Sequence, residues 1–91
     1  MLDTSSITSS KIIKKTIHKG LWLNKKGIST TLHLDNNRIG NRISILETED
    51  GVIAITHLKG DGRFPNAHTL YGELTTTDSE KAIAFITKEI G

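Results

Sequence analysis

Four histidines, His18, His33, His57 and His68, are the side chains best suited to move a proton near neutral pH or to bind a metal. No pair has the spacing that sets two imidazoles on one face of a helical zinc site. His57, Asp61 and His68 bracket a glycine-rich stretch. Two imidazoles and a carboxylate are a workable donor set for a metal or a proton relay, but the spacing matches no known motif. The chain has no cysteine, which excludes disulfides and thiolate zinc sites. Serines and threonines are plentiful, and none lies in a Gly-x-Ser-x-Gly elbow. Glu47, Glu49 and Asp50 cluster at an expected hairpin tip, where solvated carboxylates lack the burial that separates paired acids into acid and base. No catalytic residue, metal site or cofactor is assigned on these grounds, and a His/Asp hydrolase or metal centre is the weakest of the functional readings.

Binding chemistry has more to work with. The net charge of +2 hides a polarised chain. Residues 1–42 carry Lys11, Lys14, Lys15, Lys19, Lys25, Lys26, Arg38 and Arg42 against Asp3 and Asp35, whereas acids outnumber bases in the remainder. Lysines neutralise backbone phosphates and an aromatic face stacks on an unpaired base. Lys14, Lys15, Lys19, Trp22, Lys25, Lys26, Arg38 and Arg42 are therefore candidates for a single-strand nucleic-acid surface, provided they converge on one face. The segment Lys59-Gly60-Asp61-Gly62-Arg63 has glycines and cations but lacks the Gly-Lys-Ser/Thr and following helix of a phosphate cradle. It reads as a loop, and Arg63, Phe64 and Pro65 within it are candidate contacts for a partner protein.

The elements that must position these residues are mostly strands. Ile28, Thr30, Leu32 and Leu34 alternate with polar residues, the period-2 pattern of a half-buried strand. Two further runs, 42–47 and 52–57, flank Glu49-Asp50-Gly51, a strong hairpin signal. Leu21-Trp22-Leu23 reads as a short strand entering a turn at Asn24-Lys25-Lys26-Gly27, with Gly27 free to take positive φ. The run 11–19 fits helical spacing as well, with Gly20 as a terminator, but its β-branched content favours strand. Another strand is expected at about 68–75. Thr77-Asp78-Ser79-Glu80 has the form of a capping box with Thr77 at the N-cap, followed by the apolar stripe Ala82, Ile83, Phe85, Ile86 and Ile90.

The expected architecture is α+β: an antiparallel sheet of four to five strands, a meander core with a hairpin at 42–57, and one C-terminal helix packed on one face. Ninety-one residues suit one domain, here 11–91, with 1–10 read as a flexible tail that has little to bury and no secretory h-region. No run approaches the roughly 20 apolar residues of a membrane helix. Together with the missing cysteines this points to a cytoplasmic location. The functional expectation is a non-catalytic binding domain, a regulator, inhibitor or adaptor acting on a partner protein or on a second copy of itself through an exposed strand edge. The alternative is a module for single-stranded DNA or RNA.

Overall fold

The computed structural model describes Leu2, residues 4–34, 40–60 and 68–91, with the backbone alone for His68. Five strands, β1 (Ile12–Trp22), β2 (Lys25–Leu34), β3 (Arg42–Thr48), β4 (Ile53–Gly60) and β5 (His68–Thr76), precede one helix, α1 (Ser79–Ile90). The strands form one antiparallel meander in the order β1-β2-β3-β4-β5. This is the α+β sheet-and-helix plan expected from the sequence. None of the helices among the described residues is long and apolar enough to cross a membrane.

Period-2 alternation gives the sheet two unlike faces. On the inner face, cross-strand neighbours form the rows Lys15-Leu32-Ile43-His57-Gly72, Ile17-Thr30-Ile45-Ile55-Leu74 and Lys19-Ile28-Glu47-Ile53-Thr76. On the outer face the rows are Lys14-His33-Arg42-Leu58-Leu70, Thr16-Thr31-Ser44-Thr56-Glu73 and His18-Ser29-Leu46-Ala54-Thr75. Antiparallel sheets tolerate water on one face, and the outer rows, mostly small or polar apart from Leu46, Leu58 and Leu70, suit that arrangement. The core lies on the inner face, where Leu32, Ile43, Ile45, Ile55 and Ile86 are fully buried. Each such side chain contributes about 1.5–3 kcal/mol by leaving water.

Helix α1 covers β4 and β5 with Ala82, Ile86 and Ile90 buried and Ile83 and Phe85 packed against the cluster. Its N-cap is Asp78, one residue beyond the expected Thr77. The Asp78 carboxylate accepts from the Glu80 and Lys81 amides at 2.9 and 3.3 Å. A charged acceptor bonds these amides more strongly than a hydroxyl and complements the positive end of the helix dipole. Gly91 closes the other end at φ 91°.

The described residues of the N-terminal segment add to this roof. Leu2 and Ile7 are buried in the same core cluster, around a short 3-10 turn at Thr4–Ser6. The Leu2 amide donates to the Glu47 carboxylate. Lys11 Nζ then reaches the carbonyls of Ile90 at 3.4 Å and Gly91 at 3.0 Å, placing a cation at the negative end of α1. The expectation that this segment has little to bury is corrected: its two aliphatic residues cover part of the inner face that α1 does not reach.

Two local expectations also change. Residues 12–19 and 21–22 belong to one continuous strand, since Gly20 sits inside β1 opposite Gly27. The reversal uses Leu23 and Asn24, with φ of 53° and 66°, the positive pair of a two-residue type I′-like hairpin. Gly27 lies within β2 and is needed for space: a Cβ there would stand 2.9 Å from the Glu47 carbonyl oxygen. The β3–β4 turn follows expectation, with the Gly51 amide bonded to the Thr48 carbonyl and Gly51 at φ 84°.

Candidate functional site

Strand β1 is an edge, so its outward amides and carbonyls meet no strand of this sheet. It spans 11 residues without a proline, and its only irregularity is a register shift between Ile12 and Lys14. Long regular edges of this kind are templates for pairing with another chain. Three of its apolar residues are largely exposed, Ile13 at 65%, Ile17 at 51% and Leu21 at 69%, and Leu23 at the adjoining turn is 96% exposed, whereas Ile12 packs against the core cluster. An isolated exposed leucine needs no explanation, but four exposed aliphatics recurring along one strand and its turn, with Lys15 and Lys19 between them, make a mixed apolar and basic edge.

A groove of about 780 Å3 opens on the inner face beside this edge, lined among others by Lys19, Leu21, Lys26, Ile28, Glu47 and Glu49. It exists because the roof ends early. Cover falls off towards β1: in the row Lys19-Ile28-Glu47-Ile53, Ile53 is buried in the core cluster, whereas Ile28, nearer the edge, remains half-buried and Lys19 is exposed. The paired glycines Gly20 and Gly27 thin the ribbon here, and the Trp22 ring packs over both from the outer side. Trp22 is half-buried and serves as the backing of the groove.

The charges divide in a simple way. Lys15 and Lys19 flank Ile17 on the inner face of β1, and no acid occurs from Ile12 to Trp22. Lys25 lies across from Trp22 and binds Asp50 at 2.6 Å. The Lys25 ammonium and the Thr48 hydroxyl, both bonded to Asp50, hold its carboxyl down to about 2, and the same contact raises the Lys25 pKa.

The residues proposed for nucleic acid are not brought together. Strand register sets Lys14, Trp22, Lys25 and Arg42 on the outer face and Lys15, Lys19 and Lys26 on the inner face. Lys15 is bonded to the Thr4 hydroxyl at 3.0 Å and Lys25 to Asp50, while Arg38 lies outside the described residues. The partner-loop candidates Arg63, Phe64 and Pro65 also lie outside the described residues, as do Asp61 and the His68 side chain. Lys59 and Gly60 belong to β4 and not to a loop.

The histidines separate as well. His33 faces outward and shares a hydrogen bond with Thr16, Nε2 to Oγ1 3.2 Å. His57 faces inward at 4% exposure, between Asn41 Oδ1 at 2.7 Å and Glu89 Oε1 at 3.4 Å. It thereby ties the β2–β3 connection and the end of α1 to β4. Tyr71 lies beside it, with the Lys59 ammonium 4.0 Å from the Tyr71 ring centre. Among the described residues, no group of three or more His, Asp or Glu side chains is placed to hold a metal ion.

The edge residue Ile17 and the groove residues Leu21 and Ile28 were not among the candidates drawn from the sequence. A signal for them exists: Lys15, Ile17, Lys19 and Leu21 alternate cation and aliphatic at every second position, a face that is neither all core nor all solvent. No protein-family model matches the chain, and no curated protein or solved structure matches it either.

Proposed function

We propose that this domain is a protein-interaction module that receives a partner along the β1 edge and in the groove beside it. The observation that carries the reading is the exposure of Ile13, Ile17, Leu21 and Leu23 along a strand whose outer hydrogen-bonding edge is unpaired in this sheet. Strand addition draws affinity from main-chain hydrogen bonds and specificity from alternate side chains, and this edge offers both. The split of the lysines across two faces argues against a continuous phosphate track, so binding of single-stranded nucleic acid is the weaker reading.

The test is a selection from a random displayed-peptide library on the immobilised domain, followed by amide chemical-shift mapping of the enriched peptides. Shifts concentrated in Ile12–Trp22 and Ile28, with affinity reduced at least tenfold by Ile17→Lys or Leu21→Lys, are the expected result. Enriched peptides that map instead to the outer face or to α1 would overturn the reading.

A further inference from the structure

From the charge pattern of β1 we infer that its partner is an acidic, extended polypeptide segment in which acidic and aliphatic residues alternate along one face. This inference rests on the β1 edge being the binding site, and it adds the chemistry of what binds there. In antiparallel pairing, residues directly opposite each other share a face and interact through their side chains. On the inner face a partner strand meets Lys15, Ile17, Lys19 and Leu21 in succession. A carboxylate opposite each lysine and a Val or Ile opposite Ile17 and Leu21 satisfies every position. The aliphatic opposite Leu21 also has somewhere to go, because the groove between Leu21 and Ile28 opens at that point.

On the outer face the same partner meets Lys14, Thr16, His18 and Gly20, with the Trp22 ring beside Gly20. Small polar side chains fit that row. The strand has no acid of its own between Ile12 and Trp22, so nothing within β1 neutralises its lysines. Among the described residues, Lys14 and Lys19 form no ion pair.

Charge also disfavours one way of pairing with a second copy, the register centred on Ile17. Two β1 strands paired about Ile17 would set Lys15 directly against Lys19 twice over, and like charges directly opposite are destabilising. A basic peptide meets the same penalty. A single-stranded nucleic acid would match the charge but would leave the outward main-chain groups and the aliphatics Ile17 and Leu21 without complementary partners.

The decisive experiment uses the full chain and synthetic 11-residue peptides, matching β1 in length. One peptide places Thr at every second position with Glu and Val alternating between. A second carries Lys for Glu, and a third Gln for Glu. Affinities are measured by fluorescence anisotropy at about 50 and 200 mM salt, with amide shifts recorded for the bound protein, and oligo-dT and protein concentration are varied in parallel. The expected result is binding of the Glu peptide at least about tenfold tighter than the Lys peptide, weakening with salt, with shifts along β1. Lys19→Glu, alone or with Lys15→Glu, should invert that preference, a charge swap that a misfolded variant could not produce. Equal binding of all three peptides along β1 would overturn the acidic partner and leave the edge reading standing. No peptide binding along β1, shifts there with oligo-dT alone, or concentration-dependent dimerisation through β1 would overturn the acidic segment as occupant. The oligo-dT result would also overturn the protein-binding reading.

Discussion

Gly20 stands directly opposite Gly27 in the β1–β2 ribbon, and the Trp22 ring covers both on the outer face. The two glycines are not equivalent. A Cβ on Gly20 would meet only Trp22 ring atoms, at 3.5 and 3.6 Å, an ordinary contact. One on Gly27 would stand 2.9 Å from the Glu47 carbonyl oxygen and 3.0 Å from Trp22 Cε3, so backbone must move. Gly20→Ala should therefore be neutral or stabilising by up to about 1 kcal/mol, as expected for removing glycine from a strand interior. Gly27→Ala should cost about 1–3 kcal/mol. Urea unfolding of the two variants compares them directly.

The aliphatic residues divide by purpose. Ile43 is wholly buried in the core cluster, and Ile43→Ala should cost about 2–5 kcal/mol. Ile17→Ala, at a half-exposed edge position, should change stability by no more than about 0.5 kcal/mol while weakening any ligand of the β1 edge. Equal destabilisation by the two would mean that Ile17 is core and not binding surface.

Leu23 occupies a left-handed conformation at φ 53° that a branched aliphatic side chain disfavours by roughly 1–2 kcal/mol. Leu23→Gly, or Leu23→Asn to limit the entropy cost, should recover about 1 kcal/mol of this. In a domain of this size that corresponds to a rise in Tm of about 4–8 °C. A fall in Tm would show that the leucine side chain itself holds the turn together.

The Lys25–Asp50 pair gives the two hairpin ends a pH dependence. Asp50 titrates at about 2 in the folded chain, below its ordinary 3.8, so its contribution is present above that ordinary value and lost as pH falls towards 2. Lys25 is raised above 10.5, so its contribution is present below that value and lost as pH rises through the folded pKa. Both groups are exposed, which keeps the effect small and sensitive to salt. Carboxyl-detected NMR should find the Asp50 titration moving up towards the usual carboxylate range in Lys25→Gln, short of a full return because the Thr48 hydroxyl still donates to it. An unchanged Asp50 titration would refute the coupling.

His57 is the buried polar link between β4, Asn41 and α1. Asn41→Ala removes the hydrogen-bond partner of Nε2 and should cost about 1–3 kcal/mol. Gly72→Ala should act on the other side of the ring, since its Cβ would overlap the Glu89 carboxylate and push it from His57. Hydrogen exchange in the last turn of α1 should accelerate in both. Retained protection there would show that the apolar contacts of Ile86 and Ile90 alone hold the helix end.

Much of the fold was legible locally. The Asp50-Gly51 turn, the alternation through Leu32 and Leu34 and the stripe from Ala82 to Ile90 each express a preference carried by a few consecutive residues. The division of the lysines was legible too, once β1 was accepted as a strand. Neighbours such as Lys14 and Lys15, or Lys25 and Lys26, must point to opposite faces of a sheet. Counting charge along the chain concealed this, because net charge has no direction. The helix start was misplaced by one residue because Thr77 and Asp78 are both good caps, and the choice between them depends on where β5 delivers the chain.

The sequence by itself determined an antiparallel sheet of four to five strands, the Asp50-Gly51 hairpin turn and a terminal amphipathic helix, since these depend on interactions among near neighbours. Only the tertiary structure decided which apolar residues would be covered. Leu2 and Ile7 are sheltered against strands far along the chain, whereas Ile17 and Leu21, equally apolar, are left at an uncovered edge. Burial is a property of what arrives to share a surface, and the cover over the inner face thins towards the β1 edge, where Ile28 is half-buried and Ile17 and Leu21 are exposed.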